Sequence, residues 1–187
     1  MKYMSRVLFW AVICFIAFFA FSDDLMPADT SSIEDCGDVS CEWPQSTNDL
    51  VLSQDNWKLS VPDTGWLNND PPQPGFKVLL TNDEQHALLI LIKDQLPNDE
   101  TFAQFVVDTI KIDEASDVLV NAVKQVRIHD TKFIMVQGNR KGDTVWSWLT
   151  VKDGFGYTLL CGGEIDVDAG SSMHDMCQSI ASTLEIK

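Results

Sequence analysis

Glu164, Asp166, Asp168 and Asp175 stand at relative positions 1, 3, 5 and 12, the spacing at which an EF-hand loop presents oxygen ligands to calcium. The match departs from that motif in three places. Ala169 occupies the position of the sharp-turn glycine, Gly170 comes one residue late, and Asp175 is shorter than the usual bidentate glutamate. An acidic loop that runs into a helix, with Asp175 in the first turn near the positive end of the dipole, explains the same four residues without a metal. We therefore expect no metal and no other cofactor.

Other catalytic constellations are absent from the sequence. No two of His86, His129 and His174 have metal-ligand spacing, and His129-Asp130 is a single dipeptide. No serine sits in a nucleophile elbow, and no glycine-rich stretch is arranged to cradle a phosphate. Carboxylates distant in sequence can still converge. An envelope hydrolase or metal-dependent enzyme built from dispersed carboxylates is therefore the alternative to a protein without catalytic activity.

The aromatic residues point toward binding. Trp146 and Trp148 fall on one face of a strand whose other face carries Val145, Leu149 and Val151, so both tryptophans are expected in a core. Trp66 is different. It lies in the loop from Pro62 to Gly75 among Asp63, Asn68, Asn69 and Asp70, and the prolines are expected to deny this loop a sheet ladder. Tryptophans anchor interfaces and prolines lower the entropic cost of presenting them, so Trp66 is the candidate contact with a protein partner. Trp43, beside Pro44, is a second binding candidate.

The chain that must position these residues has 187 of them, 45% hydrophobic and 22% charged, with a formal charge of −15. Such a chain is globular and long enough for one domain. A polyanion has no electrostatic reason to bind nucleic acid or an anionic membrane surface. The N-terminus reads as an export signal. Lys2 and Arg6 precede an uncharged apolar run, Val7 to Phe21, and Ala20-Phe21-Ser22 offers a cleavage site before Asp23. The rival reading is an uncleaved signal anchor that tethers the domain at the inner membrane. Beyond that segment no membrane contact is expected, and the expected location is the periplasm or the exterior.

Of five cysteines, Cys14 lies inside the signal segment. The four that remain suit an oxidising compartment. Proximity pairs Cys36 with Cys41 and leaves Cys161 for Cys177, which a final helix folding back over the sheet would bring together. CxxC spacing, the mark of a zinc site, is lacking.

Residues 23–56 hold nine acids and no lysine or arginine, and read as an acidic flexible leader. A single domain is expected over 57–187. Trp57, Leu59 and Val61 alternate as a first strand, Phe76 to Leu80 form a second, and the continuously apolar His86 to Lys93 a third, central one. Asn98 or Asp99 can cap a helix with Phe102, Phe105, Val106, Thr109 and Ile110 on one face. Residues 114–128 fit either a helical stripe or a strand. Lys132 to Val136, Val145 to Val151 and Gly156 to Cys161 then make an antiparallel meander with a tight turn at Asp153-Gly154, ended by Gly162-Gly163. Ser171 or Ser172 can cap a last helix along Met173, Met176, Cys177, Ile180 and Leu184.

Trp57-Lys58-Leu59-Ser60-Val61-Pro62, Phe102-x-x-Phe105-Val106, Val145-Trp146-x-Trp148, Gly154-x-Gly156-Tyr157-x-Leu159 and Cys177-x-x-Ile180-x-x-x-Leu184 follow one another in an order that resembles the PsbP-like fold, which includes the DcrB-like bacterial envelope proteins. The resemblance covers about residues 57–187. It implies an α+β domain with a central antiparallel sheet and helices packed on both faces, an α/β/α sandwich. Such proteins mostly act as binding, assembly or chaperone-like modules. The implied function is recognition of a protein partner in the periplasm, an immunity protein against a basic toxin being one variant. Partners in this family differ too widely for any binding residue to be carried over.

Overall fold

Alternation in Trp57–Pro62 buries Trp57, Leu59 and Val61 and leaves Lys58, Ser60 and Pro62 half-buried, as one covered face of a strand requires. In the computed structural model, which describes residues 49–62, 65–72, 75–164 and 170–187, this strand is β2. The expected signal segment, Trp43, Cys36 and Cys41 lie outside those residues. β1 (Asp49–Gln54) precedes β2 and pairs antiparallel with it, with Gln54 opposite Trp57 across the Asp55-Asn56 turn. The acidic composition therefore assigns residues 49–56 to the leader wrongly. Leu50 and Leu52 turn inward while Val51 is 54% exposed, so an edge strand's single apolar face is diluted by acids and serines.

The remaining strands are β3 (Trp66–Asn68), β4 (Phe76–Asn82), β5 (Ala87–Gln95), β6 (Leu119–Ile128), β7 (Thr131–Arg140), β8 (Asp143–Lys152), β9 (Phe155–Glu164) and β10 (Glu185–Ile186). Seven of them form one sheet in the order β3-β4-β5-β9-β8-β7-β6, and β1-β2-β10 form a second. Every pairing is antiparallel. β5 lies between β4 and β9, the central place its unbroken apolar run implies. Asp153 (φ 52°) and Gly154 (φ 76°) both take the left-handed conformation that a two-residue hairpin turn demands. β9 does not stop at the glycine pair. Gly162 and Gly163 remain in the ladder opposite Val145 and Thr144, and the strand ends at Glu164.

α1 (Phe102–Ala115) is capped by Thr101, whose hydroxyl accepts the Gln104 N–H at 3.2 Å, rather than by Asn98 or Asp99. Only a residue with extended backbone just before the first turn can cap, and Thr101 has φ −82° and ψ 160°. Phe105, Val106, Thr109 and Asp113 form its buried stripe. The helix ends where the Ser116 and Val118 N–H groups both reach the Asp113 carbonyl, at 2.9 and 3.0 Å, and Asp117 turns left-handed at φ 64°. β6 follows, so 119–128 is a strand; the Leu119 that a helical stripe would bury is 69% exposed. α2 (Gly170–Ser182) starts ahead of Ser171 and Ser172, which stand within its first turn.

One buried cluster joins Met173, Cys177, Ile180 and Ala181 of α2 to Trp57, Leu59 and Val61 of the small sheet and to Leu89, Leu91, Trp146, Trp148, Leu159 and Cys161 of the large one. Another joins Phe105 and Val106 of α1 to Leu96, Val136 and Leu149. Phe105 lies so close over Gly156 that an added Cβ there would come within 2.6 Å of its ring, which explains a glycine in mid-strand. Among the described residues no helix is long and apolar enough to cross a membrane.

Candidate functional site

Trp66 occupies β3, where it stands opposite Asn82 of β4. The expected loop without a ladder is thus a short edge strand. β4 needs a partner for its outward backbone groups, and the prolines at 71, 72 and 74 fall beyond the three paired residues. Asn69 closes the segment, its N–H donating to the Leu79 carbonyl at 2.9 Å and its side-chain amide to the Thr81 hydroxyl at 3.1 Å. Trp66 is half-buried against the first cluster, while its neighbour Leu67 is 55% exposed.

At the opposite ends of two other strands, Asp143 of β8 faces Glu164 of β9 and Arg140 of β7. Burial, and then the Glu164 charge, push the Asp143 carboxyl above its usual range, with Arg140 working against both. Of the acidic set, Glu164 is exposed at the end of its strand and Asp175 is exposed on α2, 3.5 Å from the His174 ring. Asp166 and Asp168 lie outside the described residues, and among those described no three potential ligands gather to hold a metal. Asp143 and Arg140 escape a reading by spacing because only strand register puts them beside Glu164. The histidines are dispersed: His86 and His129 sit in turns with φ 47° and 50°, and His174 is on α2.

Cys161 and Cys177 form a disulfide with Cα atoms 5.6 Å apart and no exposed surface on either residue. It joins β9 to α2 as the short connecting loop implies, and its complete burial makes it a structural staple. Trp146, opposite Cys161 in register, tilts against the His174 ring with centroids 5.4 Å apart. Trp146 and Trp148 are core residues, 4% and 3% exposed.

Asp113 was not singled out by its spacing, although it follows Phe105, Val106 and Thr109 along the buried stripe of α1. Burial, reinforced by the neighbouring Glu114 charge, raises its pKa from 3.8 to about 7. A carboxyl so placed is a proton-binding group near neutrality, but it faces packed side chains under a helix.

The exposed large apolar residues of the described chain are Val51, Leu67, Val107, Leu119 and Val123. Four of them lie on strands that end a sheet: Val51 on β1, Leu67 on β3, and Leu119 and Val123 on β6. Edge strands with outward apolar side chains are surfaces for another polypeptide.

Comparison with solved structures places this architecture. The chain superimposes on the solution structure of the cyanobacterial PsbP protein CyanoP from Synechocystis sp. PCC 6803 with a TM-score of 0.61, over 80% of this chain and 98% of that one, at 15% identity. The fold is PsbP-like. A second solved structure with this PsbP-like arrangement is the Ran-binding protein Mog1p of Saccharomyces cerevisiae, with a TM-score of 0.51, 9% identity, and 75% and 96% of the two chains covered. At these identities the likeness is one of fold. No protein-family model matches the sequence, and no curated protein matches it.

Proposed function

We propose that this protein is an exported, non-enzymatic binding or assembly module that recognises a protein partner in the periplasm. The observation that carries the reading is the collection of exposed apolar side chains on strands at sheet edges, Val51, Leu67, Leu119 and Val123. That surface serves polypeptide contact and has no part in bond chemistry. The basic n-region and apolar run at the N-terminus support export, and a buried disulfide suits an oxidising compartment. A structural neighbour described as Ran-binding agrees with a fold used for recognition.

In this reading the domain is a three-layer α/β/α sandwich. Leu149 joins the cluster of α1 and the adjacent Trp148 joins that of α2, as residues on opposite sides of one sheet do. Trp66, together with Leu67, and Trp43 in the leader are contact residues, and Cys36 pairs with Cys41. Cross-linking of the full chain in envelope fractions, followed by mass spectrometry of the adducts, tests the module. The expected result is a stoichiometric protein partner joined at an edge strand. Turnover of a small-molecule substrate without such a partner would overturn it.

A further inference from the structure

The two edges of the seven-stranded sheet differ in what they offer. β3 is three residues long and closed off by Asn69, whereas β6 is ten residues long and exposed over most of its length. In an antiparallel edge strand alternate residues direct N–H and C=O groups away from the sheet, so among the described residues β6 presents an open row of them. An apolar shelf runs beside that row. Val123, 50% exposed, lies opposite Val136, which belongs to the cluster of Phe105 and Val106 and so marks the α1 side. α1 turns back into β6 through residues 116–118. With about 1.5 Å of rise per helical residue and about 3.3 Å per strand residue, Val107, 44% exposed, falls level with Val123.

The same strand carries Lys124 and Arg127, both exposed, and no acid, in a chain whose acids outnumber its bases 28 to 13. It also bulges between Val120 and Ala122. Bases and bulges on an edge discourage pairing with another copy of that edge, because the copy brings the same charges. A strand of opposite charge turns that guard into selectivity. We propose that residues 122–128 of β6 accept, by strand addition, an extended acidic segment of a partner protein. The acids on one face of that segment lie beside Lys124, and its alternate apolar side chains, on the α1 face, rest on Val123 and Val107, with Arg127 further along that same face. The net charge of −15 slows the encounter, but at physiological salt fields are screened beyond about 8 Å, so the charges on the strand decide the contact. This proposal rests on the reading of the protein as a binding module and names the chemistry of its partner.

The test titrates the full chain with two synthetic decapeptides, one alternating Val and Glu and one alternating Val and Lys, and follows binding and backbone amide exchange. The Val-Glu peptide is expected to bind about tenfold tighter and to slow exchange across 122–128. The exposed substitution Lys124→Glu is expected to reverse the preference. Binding of neither peptide, equal binding of both, or an unchanged preference in the Lys124→Glu variant overturns the proposal. So does protection on β1 or β3 instead, or a peptide-free dimer whose β6 amides are already protected. A natural partner cross-linked to β1 or β3 would sink this inference while leaving the binding-module reading intact.

Discussion

The surroundings of the two helices are built on different principles. α2 places its Ile180 in an apolar cluster with Trp57 and Trp148 and is stapled to β9 by Cys161–Cys177. Its far end is tied down as well, the Thr183 hydroxyl exchanging hydrogen bonds with the Ser60 backbone at 2.9 and 2.8 Å. α1 has no covalent tie. It buries a carboxyl that prefers to be protonated, and it borders the exposed β6 edge. One end of the molecule is thus over-determined, while at the other a helix without a covalent tie lies beside β6, an edge strand paired on one side only among the described residues. Local stability concentrates where buried apolar contacts are dense, and segments that meet partners come from the remainder.

Truncation of Trp148 probes the α2 cluster most severely. Trp148→Ala should cost about 3–5 kcal/mol, read as a lower midpoint in urea unfolding. A cost below about 1 kcal/mol would erase the contrast between the two regions.

The α1 side responds to pH. Because the folded-state pKa of Asp113 is raised from 3.8 to about 7, the folded protein binds its proton more tightly than the unfolded chain does. The stability from this group is therefore fully present below pH 3.8 and is lost as pH rises through about 7. Asp113→Asn removes that dependence. Between pH 4 and 8 the stability of the variant relative to wild type should rise by an amount on the order of 4 kcal/mol. Parallel stability–pH profiles for the two proteins would contradict the burial of this carboxyl.

Removing the staple should cost somewhat less. Cys161→Ala with Cys177→Ala opens a sequence separation of 16 residues, and closure of such a loop contributes about 3 kcal/mol. Calorimetric melting checks this, and amide exchange should accelerate in α2 before it does in α1. Trp66→Ala is expected to have the smallest effect on folding, about 2 kcal/mol, because the side chain is only half-buried. If Trp66 anchors a partner, binding weakens by a further 2 kcal/mol or so in the same variant, measured by titration of that partner.

What could be read from the sequence follows the range of the physics involved. Trp57-x-Leu59-x-Val61, the stripe Phe102, Phe105, Val106, Thr109, and the Asp153-Gly154 turn are local patterns, because alternation and helical spacing record which side of each element is covered. The Cys161–Cys177 bond was legible for the same reason: only a short loop separates a strand end from a helix that must fold back on it. Trp146 and Trp148 could be assigned to the core because both faces of their strand are apolar. Register is not local. Asp143 meets Glu164 and Arg140 only once β7, β8 and β9 are aligned, and a shift of one residue would send each side chain to the other face. The strands at 49–54 and 66–68 were missed because an edge strand has one covered face and one neighbour, so acids, serines and nearby prolines outweigh its weak alternation. The raised pKa of Asp113 likewise depends on what lies over α1, a matter of solvent exclusion that no residue type announces. The sequence alone determined the central strands, the two helices, their order and the staple, whose causes lie within a few residues. Tertiary structure alone decided which strands stand at the edges, which carboxyls are crowded or dry, and which ten-residue strand has a neighbour on one side only among the described residues, because pairing and burial depend on residues far apart in the chain.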